Sequence, residues 1–249
     1  MPFTFAHPAA AMLFLRYRKC LRMDAVVLGT MAPDFEYFLR GRPYGIYGHT
    51  LPGMMLFDLP LVVAVYFVGR HLILPAIGTY LPYAFQPPKR QFRNGIYAAL
   101  VFFYSALIGI LSHIVWDSFT HADGAMVKRA AMLDETIRIH GMGIPVYKIL
   151  QHGSTLAGLI AITWFLFERR KRPTKRMHPV PSRPMAVFWS AFIAVALLTL
   201  MIWNAIVALS DAQYGALVVR CIDSAIISLL ALSEALKLCS VIKRRGGTR

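Results

Sequence analysis

Five stretches of this chain, roughly 53–74, 96–116, 150–167, 185–209 and 215–240, are long and apolar enough to cross a lipid bilayer. A crossing takes about 20 predominantly apolar residues. This constrains the fold more than any other feature. In lipid the backbone must satisfy its own hydrogen bonds, so such stretches become α-helices. With 57% of residues hydrophobic and only 16% charged, the chain is too apolar for an ordinary soluble domain. The expected architecture is an all-α polytopic membrane protein, with about five transmembrane helices and short N-terminal interfacial helices. Four regions follow: a non-spanning N-terminal segment 1–52 that contributes site residues, a three-span core 53–170, a basic loop 171–184, and a two-span C-terminal extension with a basic tail, 185–249.

Local signals refine this outline. Pro8 suits a first helical turn, so 8–22 reads as a short amphipathic helix with the basic end Arg16-Tyr17-Arg18-Lys19. A second short helix is expected from Asp24 toward Ala32, followed by a glycine- and tyrosine-rich loop at 41–48. In the last span, Arg220 and Asp223 stand three residues apart, as do Glu234 and Lys237, and each pair is expected to join on one helix face. Cys20, Cys221 and Cys239 have no metal-type or disulfide spacing and read as buried small apolar residues. The start carries no basic leader, so the internal spans are expected to drive insertion.

The net charge is +15. Nucleic acid is not the implied partner, because the basic residues fall in short runs between apolar segments and form no basic amphipathic helix with interleaved aromatics. That pattern suits anionic lipid. Residues 70–95, 168–184 and the tail after Val241 hold fifteen Lys and Arg, against ten on the other side. The basic-side rule then places those segments and the C-terminus in the cytoplasm.

Candidate chemistry lies on the opposite side. His113, Asp117 and His121 are spaced four apart, on one helix face and about 6 Å apart along the axis. His7, Asp34 and His49 precede the first span, and His152 sits at the start of the third. Whichever way the protein faces, His7, Asp34, His49, His113, Asp117 and His152 share one side of the bilayer. His71 and His178 fall on the other. Imidazole and carboxylate ligate zinc, manganese and iron, and ionisable groups beside lipid need such a partner. One ion could gather His7, Asp34, His49, His113 and Asp117, and a second could use His121 and His152. Taken singly, Asp34 could instead cap a helix beginning near Phe35, and Asp117 could pair with Lys128 or Arg129. No serine-hydrolase or phosphate-loop pattern is present.

Five ordered motifs carry a resemblance: the opening Met1-Pro2-Phe3-Thr4-Phe5-Ala6-His7-Pro8-Ala9-Ala10, then Met31-Ala32-Pro33-Asp34-Phe35-Glu36-Tyr37-Phe38, His49-Thr50-Leu51-Pro52-Gly53, Ser112-His113-Ile114-Val115-Trp116-Asp117-Ser118-Phe119-Thr120-His121, and Gln151-His152-Gly153-Ser154. They resemble a bacterial membrane family classed as a domain of unknown function, over about residues 1–170, with the last two spans as an extension. The order His, Pro-Asp, His-Thr, His-x-x-x-Asp also resembles the membrane-bound metal-dependent hydrolases, distant relatives of zinc-dependent phospholipase C and P1 nuclease. The soluble phospholipases' N-terminal Trp and full ligand set are missing here. The resemblance implies a multi-pass protein of the bacterial inner membrane, and the Lys and Arg count then puts its His/Asp cluster on the periplasmic side. It implies His7, Asp34, His49, His113 and Asp117 as ligands, with zinc as the metal. It further implies hydrolysis of a phosphoester in a lipid or lipid-linked substrate, with Asp34 or Asp117 as general base where not a ligand. Two alternatives stand beside it: a non-catalytic protein with a structural His/Asp network, and a metal or proton transporter using Asp58, Asn204, Arg220 and Asp223.

Overall fold

The computed structural model describes residues 3–78, 80, 95–139, 141–170, 182–207 and 214–246. A 3₁₀ helix, Thr4–Tyr17, opens the chain. It is followed by α1 (Met23–Gly29), α2 (Phe35–Arg40), α3 (Leu51–Ile77) and α4 (Gly95–Thr120). Two short helices, α5 (Ala125–Arg129) and α6 (Ala131–Asp134), lead into an antiparallel hairpin of β1 (Thr136–Ile139) and β2 (Met142–Pro145). The chain ends with α7 (Val146–Arg170), α8 (Ser182–Ile206) and α9 (Tyr214–Gly246). Helices α3, α4, α7, α8 and α9 are each long and apolar enough to span a membrane. The all-α polytopic expectation therefore holds. Residues 171–181 of the basic loop with His178, the 208–213 connection and the tail after Gly246 lie outside the described residues.

The chain divides into two compact units. The first comprises 1–35, 46–63 and 90–173, and α4 is its central column. Helix α1 crosses α4 with two glycines face to face. A Cβ on Gly29 would stand 2.2 Å from the Ala106 carbonyl oxygen, and one on Gly109 would stand 2.3 Å from that of Val26. Only residues without side chains allow backbones this close. The crossing is pinned one turn earlier, where the Arg22 amide donates to Ser105 Oγ at 3.0 Å and the Tyr104 hydroxyl donates to the Cys20 carbonyl. Ala11, Leu21 and Val26 form the buried apolar seam beneath it.

The 3₁₀ helix begins at Thr4 rather than at Pro8, so Pro8 lies inside it. Fourteen residues is long for this helix type, which on its own rarely exceeds one turn. Packing against α1, α4 and α7 holds it. Phe3 N donates to Thr155 Oγ1 on α7 at 3.3 Å, and Trp116 Nε1 on α4 donates to Ser154 Oγ at 3.2 Å. These bonds tie α7 to the chain's N-terminal segment and to α4.

The second unit comprises 36–45, 64–89 and 174–249. In it α8 and α9 pack antiparallel: Ser228 Oγ donates to the Phe192 carbonyl at 2.8 Å, and Arg220 Nη1 donates to Asn204 Oδ1 at 2.7 Å and to the Val207 carbonyl at 2.6 Å. Arg220 thus does not pair with Asp223 as its spacing suggested. A helix end presents free carbonyls, and the guanidinium reaches one across the hairpin. Glu234 and Lys237 are both exposed and form no ion pair among the described residues. The three cysteines are exposed rather than buried. Cys221 and Cys239 lie on an apolar span, where an exposed position accepts a thiol as readily as a core does, and Cys20 lies in the turn after the 3₁₀ helix.

Candidate metal centre

The last two turns of α4 carry the centre. His113 is 1% exposed, and its Nδ1 donates to the Thr30 carbonyl at 2.8 Å. This bond accounts for the proton on Nδ1 and directs Nε2 at the site, the orientation a metal-ligating imidazole needs. Thr30 is the residue after α1, so the Gly29–Gly109 crossing sets the position of that carbonyl. One turn beyond His113, Asp117 Oδ2 lies 3.2 Å from His113 Nε2.

Two further groups come from outside α4. Asp34 closes the short turn Ala32–Asp34 and is 2% exposed. His49 precedes Thr50, whose hydroxyl accepts from the Gly53 amide at 3.0 Å and donates to the Tyr47 carbonyl at 2.8 Å, capping α3. Gly48 brings the two segments together, since a Cβ there would stand 2.4 Å from the Pro33 carbonyl oxygen. His49 Nε2 then lies 3.3 Å from His113 Nε2, 3.4 Å from Asp117 Oδ2 and 3.8 Å from Asp34 Oδ1. Asp34 Oδ1 is 3.7 Å from His113 Nε2.

These distances decide what the group can hold. With ligand bonds of about 2.0–2.1 Å, the edge of a tetrahedral coordination shell is about 3.3 Å. Asp34, His49, His113 and Asp117 each offer one donor atom, and all four atoms lie within 4.8 Å of one another. Edges of 3.2, 3.3 and 3.4 Å join His49, His113 and Asp117, while Asp34 stands slightly farther off. Two imidazole nitrogens 3.3 Å apart repel if both present lone pairs, and two buried carboxylates add negative charge. A cation between them relieves both. The donor set and its spacing therefore fit a metal ion. His49 is the open flank, with its side chain 30% exposed.

His7 extends the group. Its ring stacks on His113 with centroids 3.8 Å apart, and its Nε2 lies 3.6 Å from Asp117 Oδ1. Burial, reinforced by His113, pushes the His7 pKa down to about 3, so the ring stays neutral. Burial pushes the Asp34 carboxyl above its ordinary range, opposed by His113 and the Thr4 side chain. His121 Nδ1 lies 3.5 Å from Asp117 Oδ2 and 3.2 Å from the Asp117 carbonyl, at the edge of the group. His152 is exposed on α7, outside the four-donor group. His71 stacks on Phe67 within α3.

Of the sequence candidates, the fold thus gathers Asp34, His49, His113 and Asp117, sets His7 and His121 against Asp117, and leaves His152 apart. Thr30 was not among them, because it acts through its backbone carbonyl and residue type carries no trace of that. Gly29 and Gly109 left a fainter signal, as small residues on two helical faces.

Five helices long and apolar enough to span a membrane, with a buried His/Asp group at the end of one of them, fit the class of integral membrane proteins with a candidate metal centre. Within that class the chain belongs to the family described as a domain of unknown function (DUF4184), whose model matches residues 1–234. The match takes in α8 and much of α9, so these spans are part of the family rather than an extension beyond it. No curated protein and no solved structure matches the chain.

Proposed function

We propose that this protein is a membrane-bound, metal-dependent hydrolase acting on a phosphoester at the membrane interface. One observation carries the reading: four buried or half-buried donors from three separate segments meet within 4.8 Å, with His113 Nε2 already directed at the site. Two imidazoles and one carboxylate near tetrahedral spacing, with a second carboxylate slightly farther off, suit a zinc that keeps an open position. When bound, a divalent ion supplies Lewis acidity, bringing the pKa of water toward about 7 and drawing charge from a phosphoryl oxygen.

The protein's groups do the rest. His49, His113 and Asp117, the tightest three, fix the site. Asp34, the outlying corner, takes a proton from the attacking water. The water oxygen bonds to phosphorus, the ester P–O bond breaks, and the released alkoxide takes a proton from solvent through the His49 flank. The centre lies at the end of a span, a position that suits a lipid headgroup or lipid-linked phosphate as substrate. Lys and Arg counting supports a periplasmic face in a bacterial inner membrane.

The test uses the protein purified in detergent and supplied with Zn²⁺. Bound metal and release of p-nitrophenol from bis(p-nitrophenyl) phosphate are measured for wild type, His49→Ala and Asp34→Asn. The reading expects bound zinc and turnover in wild type, loss of both in His49→Ala, and bound zinc with at least 100-fold slower turnover in Asp34→Asn. Zinc-free wild type, folded and inactive, would leave a structural His/Asp network and overturn the hydrolase.

A further inference from the structure

Three buried side-chain atoms of the centre have no hydrogen-bond partner, Asp34 Oδ2, His7 Nε2 and Asp117 Oδ1. The last two face one another at 3.6 Å, too far for a hydrogen bond and close to the edge of a coordination shell. A buried polar atom without a partner costs free energy, and two aimed at one point mark a place for a third party.

Asp117 also presents its oxygens to different partners. Oδ2 faces His113, His49 and His121, whereas Oδ1 faces His7. A carboxylate divided in this way is placed to bridge two cations. The imidazoles are spaced to match. His7 and His113 stack with centroids 3.8 Å apart and planes 21° from parallel, and each presents Nε2 to the same carboxylate. An imidazole lone pair lies in its ring plane, so ions bound by two stacked rings are separated by about the stacking distance. Two-metal hydrolytic centres hold their ions about 3.5–4 Å apart.

We infer that the centre is dinuclear, with a second divalent cation held by His7 Nε2 and Asp117 Oδ1, and Asp117 bridging it to the first. This rests on the metal reading above and deepens it. With only two protein ligands, the second ion keeps open positions for water and for a phosphoryl oxygen. His7 is then the residue that turns a one-ion site into one able to clamp a phosphoester between two cations. It also gives a purpose to the contacts that fasten the N-terminal 3₁₀ helix onto α4 and α7.

Metal stoichiometry tests this. Purified protein is stripped with chelator and reloaded with Zn²⁺ or Mn²⁺. Bound metal is counted by elemental analysis, and the Mn²⁺ form is examined by electron paramagnetic resonance. The inference expects two ions per chain and an exchange-coupled Mn²⁺ pair in wild type. His7→Ala and the more conservative His7→Asn are expected to hold one ion with an uncoupled spectrum, and His113→Ala to lose the first ion. One ion per chain in wild type, with no coupled spectrum, would overturn the second site and leave the first. No bound ion in folded wild type would overturn both. A His7→Asn protein that still holds two coupled ions would remove His7 from the site.

Discussion

Replacing Gly109 by alanine tests whether the helix crossing, rather than the ligands alone, sets the centre. The added Cβ would stand 2.3 Å from the Val26 carbonyl oxygen and 2.8 Å from the Thr30 amide nitrogen. Both are backbone atoms, so no side-chain rotation relieves the clash. Contact begins at about 3.5 Å, so α1 must retreat by about 1 Å. The same shift applied to the His113 Nδ1–Thr30 carbonyl bond takes it from 2.8 Å to beyond hydrogen-bonding range. His113 then loses the contact that fixes its ring orientation. Removing such a supporting partner costs about 10- to 100-fold in metal affinity, or about 1.4 to 2.7 kcal/mol. Overpacking adds about 1–3 kcal/mol of lost fold stability. The assay is competition for Zn²⁺ against a chromophoric chelator, with thermal unfolding in the same detergent. Gly153→Ala on α7 is the control, because its Cβ would meet nothing within 4 Å. A Gly109→Ala protein that binds Zn²⁺ as tightly as wild type would refute the reasoning.

Four further outcomes are expected. Chelator treatment lowers the thermal midpoint of wild type, by the equivalent of about 2.7 kcal/mol where free zinc had stood 100-fold above its dissociation constant, and lowers that of His113→Ala by less. Asn204→Leu removes one acceptor from buried Arg220 and costs about 1–3 kcal/mol in detergent unfolding with zinc content unchanged; loss of zinc in that variant would contradict the assignment of the centre to the other unit. Gly41 adopts φ +62°, and a Cβ there would stand 2.6 Å from Trp203 Cζ2. Gly41→Ala therefore costs about 1–3 kcal/mol, and an unchanged melting midpoint would show that this turn relaxes freely. Thr50→Val removes the cap of α3 and costs about 1 kcal/mol, with zinc affinity falling as His49 loses its fixed approach; unaltered stability and affinity would deny the cap that role.

The spans were legible because lipid leaves the backbone one solution, and the apolar runs fall within a few residues of α3, α4, α7, α8 and α9. The His113–Asp117 pair was legible because helical periodicity alone puts both on one face. What sequence spacing could not supply was contact between elements. Arg220 and Asp223 satisfy the three-residue rule, yet the guanidinium found Asn204 and a helix-end carbonyl on α8, partners that exist only once the hairpin forms. The 3₁₀ character of Thr4–Tyr17 depends likewise on the helices around it. Asp34 and His49 were nameable as donors, but their meeting depends on Gly48 against the Pro33 carbonyl, and nothing in residue type announces that approach. His152 carried the same chemical signal as His49 and lay on the same expected side, yet the rotation of α7 leaves it facing outward.

The most direct test is X-ray absorption on the purified, Zn²⁺-loaded wild-type protein. The account predicts nitrogen and oxygen ligands at about 2.0–2.1 Å, the outer-shell scattering of about two imidazoles on the first ion, and loss of that pattern in His113→Ala. A spectrum of hydrated zinc without imidazole scattering, identical in wild type and variant, would contradict it.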